Sequence, residues 1–211
     1  MRTASLAAVI ACGLATPLVM APAQASAEAA TEAQAKAAGV FVDGLADKAF
    51  AILRDKSIDR ATGRAKFRTM LRQNFDVQMI GNKLIRQHMP PAITQAQYLQ
   101  YQQIFPDYIV GTYADRLYDY ANADLKVLRT RPRGTRGDID VVTRITMAGG
   151  GQPIDAIWAV RPDSSGRMMI TNITVSGVNL TLTQEADFDS YIRRNGFDAL
   201  LRFMREAGGR G

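Results

Sequence analysis

The sequence contains 211 residues, a length that is typical of one ordinary domain or slightly more. Its formal net charge of +6 and its pI near 9.7 favour contact with anionic surfaces, such as membrane headgroups or acidic proteins. The single cysteine excludes an intrachain disulfide, so burial of apolar residues must hold the fold together.

The N-terminus has the pattern of a secretory signal peptide. A basic start is followed by an apolar run over residues 6–20, and Ala23 and Ala25 have the spacing of a signal-peptidase site. The run is too short and wrongly flanked for a stable membrane span. We therefore predict that residues 1–25 are a signal peptide cleaved after Ala25, with cleavage after Ala27 as the alternative.

The cysteine, Cys12, lies inside this apolar run. A lipidation site is one interpretation, but a long apolar segment still follows Cys12, and this favours a small apolar residue of the signal. Residues 26–211 are then predicted to form a single exported domain in the periplasm. Nucleic acid is a poor candidate as a partner in that compartment.

The first half of the chain is predicted to be helical because apolar residues recur at helical spacing. The first three helical segments are residues 40–53, 59–75 and 76–88. Pro90 and Pro91 end the third segment. Thr94 and Gln97 then form a capping box, which predicts the start of a fourth helix.

The fourth helix carries an unbroken ladder of apolar residues at i, i+4 spacing, namely Tyr101, Phe105, Ile109, Tyr113 and Leu117. Periodicity alone assigns this ladder to a packed core. Pro106 lies inside the pattern. It is predicted to kink the helix or to split it in two.

Strand patterns replace the helical ones after residue 124. Alternation and turn residues predict strands near residues 125–128, 138–147, 154–160 and 169–175, with a basic loop over residues 129–137. Two more helices follow, stopped by Gly196 and Gly208. The predicted fold is α+β: a curved, four-stranded antiparallel sheet with several helices packed on one face.

The motifs of common enzyme classes are missing. The sequence has one histidine, His88, and no motif of a serine hydrolase, a zinc site or a nucleotide site. His88 precedes two prolines, and a polar cap near a helix end is the simpler interpretation than a general base. An enzyme would have to use His88 with scattered carboxylates such as Asp115 and Asp155. A structural envelope protein with a filled core is the third possibility.

One basic cluster accompanies the first predicted turn of the sheet. Its residues are Lys126, Arg129, Arg131, Arg133 and Arg136. A solvated turn is the simpler interpretation of such a charge run. Docking to lipid headgroups or to a protein partner is the functional alternative.

Several short stretches resemble the MlaC/toluene-tolerance family. They are Phe75-Asp76-Val77 with Ile80-Gly81, Thr94 with Gln97, Thr112 to Leu117, Val141 to Ile145, Ile173 to Val178, and Ile192 to Gly196. No single stretch is decisive, but their order along residues 40–204 is specific. Three positions depart from the family pattern. Asn172 and Ser176 stand where an acidic pair is usual, and Pro106 replaces a helix former.

The resemblance implies a carrier rather than an enzyme. Members of this family resemble periplasmic shuttles that carry phospholipid between an outer-membrane lipoprotein complex and an inner-membrane ABC transporter with an MCE-type subunit. A similar branch, the hopanoid-associated HpnM proteins, implies hopanoid as the alternative cargo. No cofactor and no metal are implied. The fold implied is a sheet with helices around it that encloses a deep apolar cavity for the acyl chains.

The resemblance also changes the interpretation of the apolar residues, from plain core to pocket lining. The residues implied to bind lipid are Phe75, Ile80, Leu84, Phe105, Ile109, Tyr113, Leu117, Trp158, Ile173, Val175 and Val178. Tyr113 and Val178 correspond to positions where the family places pocket residues. Arg129, Arg131, Arg133 and Arg136 are the candidates for docking a headgroup or partner.

Overall fold

The computed structural model describes residues 30–208, which form six α-helices and one five-stranded sheet. The predicted signal peptide and Cys12 lie outside the described residues. The helices are α1 (Glu32–Arg54), α2 (Arg60–Asn74), α3 (Val77–Leu84), α4 (Gln95–Leu117), α5 (Leu180–Asn195) and α6 (Phe197–Gly208). The strands are β1 (Ala123–Arg133), β2 (Asp138–Met147), β3 (Ile154–Pro162), β4 (Met168–Val175) and β5 (Val178–Asn179).

The predicted α+β class is confirmed. The sheet is an antiparallel meander in the order β1-β2-β3-β4-β5, and it is not closed into a barrel. It has one strand more than predicted, because the turn at Ser176 and Gly177 returns the chain, and Val178 and Asn179 pair with Val175 and Thr174. Both turn residues have positive φ, and the two-residue strand is too short to be recognised by alternation.

The predicted basic loop over residues 129–137 is wrong, because β1 continues to Arg133 and only four residues form the turn. Gly134 and Gly137 take positive φ there and allow the tight reversal. Thr130 faces inward and packs on Gly39 of α1. The arginines face solvent, where a charge does not oppose strand pairing.

Helix α4 runs through Pro106 without interruption, so the predicted division into two helices did not occur. Proline in a helix interior lacks one N–H donor and crowds the preceding turn. The flanking residues Phe105 and Tyr108 are both buried against other helices. This packing favours a single helix over a break.

Two apolar clusters stabilise the fold. The first joins α1, α2 and part of α4 to the sheet, and includes Val42, Phe67 and Ile170. The second is purely helical and lies between α3, α4, α5 and α6. In the helical cluster the rings of Tyr101 and Phe105 stack with centroids 5.3 Å apart.

Gly81 is a close-contact point inside the helical cluster. An added Cβ atom would lie 2.6 Å from Cδ1 of Phe105. We expect Gly81→Ala to lower the free energy of unfolding by about 1–3 kcal/mol, because the buried ring must shift. Urea unfolding followed by circular dichroism would measure the change.

The matched control is Gly44→Ala in α1, where an added Cβ would meet nothing within 4 Å. This variant should be neutral, or more stable by up to about 1 kcal/mol, because alanine favours a helix interior. Equal effects at the two glycines would contradict the close contact between Gly81 and Phe105.

Candidate functional site

An apolar cavity of about 390 Å³ lies between helices α1–α5 and one face of the sheet. Its volume is within the range of about 300–1,000 Å³ that is typical of small-molecule sites. Tyr120 lines the cavity and is 37% exposed, so the cavity reaches solvent beside this residue.

The helices contribute one wall of the cavity. From α1 come Val42, Leu45, Ala46, Ala49, Phe50 and Leu53, which recur at helical spacing. Helix α2 and its C-cap contribute Phe67, Met70, Leu71 and Phe75. Helix α3 contributes Val77, Ile80 and Leu84, and helix α4 contributes Ile109, Val110 and Tyr113. The helices meet the sheet through these apolar side chains, which leave a space between them rather than filling it.

The sheet contributes the opposite wall. Leu125, Ile145 and Ile154 form one row across three paired strands, and Ala156, Trp158, Ile173 and Val175 continue the wall. The indole Nε1 of Trp158 donates a hydrogen bond to Oγ1 of the buried Thr143, at 2.9 Å. This bond satisfies the polar end of the ring and fixes its orientation against the cavity.

A β-bulge in β4 alters the side chains that face inward. Thr171 is the extra residue, so Ile170 and Ile173 both join the core although they are three residues apart. Strict alternation from Met169 to Val175, which the sequence predicts, is therefore broken. The hydroxyl of Thr171 donates to a backbone carbonyl at 3.2 Å, which allows the residue to be buried.

The polar part of the lining is small and lies at the start of α5. It consists of Asn172, Thr181 and Gln184. The Asn172 side chain accepts hydrogen bonds from both the backbone N–H and the hydroxyl of Thr181. Among the lining residues whose side chains the structure describes, only Tyr113 and Tyr120 are titratable. The described lining therefore suits an apolar ligand, and it contains no carboxylate or imidazole.

Eight of the eleven residues predicted to contact lipid line this cavity. They are Phe75, Ile80, Leu84, Ile109, Tyr113, Trp158, Ile173 and Val175. Phe105 is placed elsewhere, in the helical cluster at 2% exposure, because its turn of α4 faces α3 and α6. Val178 is also outside the lining, at 52% exposure on β5. The Leu117 side chain lies outside the described part of the chain.

The wall formed by α1 was not predicted from the sequence. Its members are spaced three and four residues apart, which is the pattern of a helix with a wide apolar face. That signal was present in residues 42–53. It identified the helix but could not distinguish a cavity wall from a core.

An ionic cluster joins the segment after α3 to α5. His88 Nε2 lies 2.8 Å from Oδ1 of Asp189, which also pairs with Arg193, and Arg86 pairs with the buried Glu185. None of these residues lines the cavity. The cluster therefore ties together two elements that flank the site, and His88 has a structural partner here.

This cluster predicts a pH dependence of stability. Hydrogen bonds from His88 and Arg193 lower the pKa of the Asp189 carboxyl below its ordinary value. A carboxyl whose pKa is lower in the folded than in the unfolded state stabilises the protein at pH values above its unfolded-state pKa of about 4. This stabilisation is lost as the pH falls through the folded-state pKa. We expect Asp189→Asn to destabilise the protein at pH 6 more than at pH 3, as measured by urea unfolding.

Asp187→Asn is the matched control, because Asp187 is exposed on the same helix. Its effect should be small and similar at both pH values. If the Asp189→Asn variant behaved like this control, the pairing of Asp189 would contribute nothing to acid stability.

The predicted docking arginines differ in their surroundings. Arg131 and Arg133 both pair with Asp140, whose side chain is 7% exposed. Arg129 and Arg136 are exposed and form no ion pair with any side chain that the structure describes. Two of the four therefore have structural partners, and two are free to meet an external anion.

Two features are absent from the part of the chain that the structure describes. Its His, Asp and Glu side chains form no group of three or more that could hold a metal ion. In the same part of the chain, no helix has the length and apolarity needed to cross a membrane.

Comparisons with known proteins agree with this architecture. The family described as MlaC protein matches residues 43–206, from α1 to α6. A solved structure of a phospholipid-binding protein from Ralstonia solanacearum, in complex with a phospholipid, is similar with a TM-score of 0.65 and 22% identity, over 82% of this chain and 97% of that chain. No curated protein matches the sequence. The family match includes the elements that surround the cavity.

Proposed function

The chain belongs to the MlaC family, and we propose that it is a periplasmic carrier. In this proposal its cavity holds the acyl chains of a lipid. The observation that carries the proposal is the apolar cavity between the helices and the sheet, with its polar residues confined to one side. A lipid fits this arrangement with its chains inside and its headgroup in water. The eight predicted residues on the lining are the proposed acyl contacts.

Transfer of lipid through water requires such a site. Each methylene group exposed to water costs about 0.8 kcal/mol, so a two-chain lipid hardly leaves a membrane unaided. Leucine, isoleucine, valine and phenylalanine side chains on the cavity wall remove much of that cost. Headgroup contacts can remain few, because the headgroup keeps its hydration.

The proposed cargo is phospholipid, with hopanoid as the alternative. The Ralstonia solanacearum neighbour is described as binding phospholipid, which supports the first. The proposed partners are an outer-membrane lipoprotein complex and an inner-membrane MCE-domain ABC transporter, by analogy with the family. We further propose that residues 1–25 are a cleaved signal peptide and that residues 26–211 are the mature lipid-binding domain.

An enzyme and a structural envelope protein are the competing functions. An acid-base enzyme needs a reactive pair in the cavity, whereas His88 is paired with Asp189 away from the lining. Asp155 pairs with Arg144 on the exposed surface, and the Asp115 side chain is outside the described part of the chain. A structural protein would need a filled core instead of the open space seen here. A carrier therefore agrees better with the geometry.

The test is mass spectrometry of lipid extracted under denaturing conditions from protein that was purified natively from the periplasm. We expect one two-chain phospholipid, or one hopanoid, per protein molecule. Ligand-free protein should also take up phospholipid from vesicles, with a change in emission of Trp158, the only tryptophan in the sequence. Absence of both bound lipid and uptake would contradict the carrier function.

A further inference from the structure

The face of the sheet that points away from the cavity carries exposed basic side chains on β1 and β2. Lys126 pairs across the strands with Arg144, Arg129 with Val142, and Arg131 with Asp140. Two neighbouring rows point the other way, into the core or the cavity. One row pairs Val127 with Thr143, and the other pairs Thr130 with Val141. Because side chains alternate between faces, the cations share the outer face. We call this surface the basic face and define it by Lys126, Leu128, Arg129, Arg131, Arg133 and Arg144.

Cations outnumber carboxylates on this face, which carries Lys126, Arg129, Arg131, Arg133, Arg144 and Arg161 against Asp124, Asp138, Asp140 and Asp155. Arg131 and Arg133 share the single carboxylate of Asp140. Arg144 is paired with Asp155. Lys126 and Arg129 are exposed, and neither makes an ion pair with the described side chains of residues 30–114, 118 and 120–208. The face therefore presents a net positive charge to solvent.

An apolar side chain lies within these cations. Leu128 is the additional residue of the bulge between Val127 and Arg129, and it is 44% exposed. A leucine surrounded by basic side chains is typical of surfaces that bind at a membrane interface, where the apolar group enters the headgroup region and the cations attract anionic lipids. An acidic protein would complement the charges, but it would not require this leucine.

Edge pairing with another strand is a poor alternative for β1. The bulge interrupts its hydrogen-bonding register, and Pro132 removes one backbone donor. The basic face, rather than the strand edge, is therefore the available surface.

The basic face and the cavity lie on opposite faces of the same strands. The row of Lys126 and Arg144 is next to the row of Leu125 and Ile145, whose side chains line the cavity on the other face. We propose that the basic face docks the protein on an anionic lipid bilayer, with Leu128 inserted at the interface. The inference rests on the proposed carrier function, because a lipid carrier has to meet the bilayer that supplies or receives its cargo.

The test is flotation of the purified protein with vesicles of equal parts phosphatidylcholine and phosphatidylglycerol, compared with vesicles of phosphatidylcholine alone. We expect binding only to the anionic vesicles, with affinity that falls as salt is raised. Neutralisation of two cations, in Lys126→Gln with Arg129→Gln, should weaken binding about thirtyfold. Leu128→Ser should weaken it about tenfold with no change in charge.

The matched control is Lys66→Gln with Arg202→Gln, which removes the same charge from exposed positions on α2 and α6. Its binding should remain within about twofold of the parent, since two distant charges contribute little at physiological salt. Equal loss in both double variants, or none in either, would overturn the proposal. Loss on charge neutralisation but not in Leu128→Ser would also overturn it, and would indicate an acidic protein as partner.

Cargo content is measured on the same preparations, so that failure of docking and failure of the carrier function can be separated. Variants of the basic face should retain bound lipid and the emission of Trp158. Vesicle binding by a protein that never carries lipid would support the docking surface and contradict the carrier function.

Discussion

Ala49→Phe is expected to exclude lipid from the cavity while leaving the protein folded. Ala49 is half-buried on α1 and lines the cavity, so a phenyl ring there would occupy the space proposed for the acyl chains. Displacement of about four methylene groups corresponds to about 3 kcal/mol, or more than a hundredfold in lipid affinity. Mass spectrometry of bound lipid and the Trp158 emission during uptake would measure the effect.

Ala51→Phe provides the matched control, because Ala51 is exposed on the same helix two residues away. It introduces the same ring into solvent and should leave lipid content unchanged. Thermal unfolding should show no loss of stability in Ala49→Phe, because the ring fills an existing space. A variant that remained fully loaded with lipid would show that the cargo lies elsewhere.

Phe105→Ala is expected to have the largest effect on stability and none on cargo. Its ring is 2% exposed and stacks on Tyr101 in the helical cluster. Removal of a buried phenylalanine side chain typically lowers the free energy of unfolding by about 3–5 kcal/mol. Urea unfolding would measure that loss, and the lipid content per folded molecule should equal that of the parent.

Leu99→Ala is the control on the same helix, where the leucine is 50% exposed. Its cost should be within about 0.5 kcal/mol, as for most surface substitutions. If Phe105→Ala instead released lipid at unchanged stability, the sequence-based assignment of Phe105 to the pocket would be correct and its assignment to the helical cluster would be wrong.

The elements were predictable because they depend on local chemistry. The capping box at Thr94 and Gln97 forms with both of its hydrogen bonds, at 2.9 and 3.2 Å, one residue before α4 begins. Alternation likewise identified Ala156 and Trp158 on one face of β3, and both line the cavity. Caps and alternation require only residues close in sequence, which a single chain shows directly.

Local preferences are overridden where a distant partner competes with them. The spacing of Thr181 and Gln184 is that of a capping box, yet Asn179 caps α5 and the Thr181 hydroxyl donates to Asn172 of β4. Proline is unfavourable inside a helix, yet α4 continues through Pro106 between buried neighbours. In both cases tertiary contacts contribute more than the local preference does.

The ladder of α4 shows the division between sequence and structure most clearly. Its i, i+4 spacing determined a helix with one apolar face, because only that period brings these residues into line. The spacing did not determine whether the side chains of each helical turn contact other protein elements or the cavity. Phe105 meets other helices, whereas Ile109 and Tyr113 meet the cavity. Hydrophobic spacing specifies which side chains leave water, but only the three-dimensional packing of α1, α2 and the sheet decides whether protein or an open space lies opposite them.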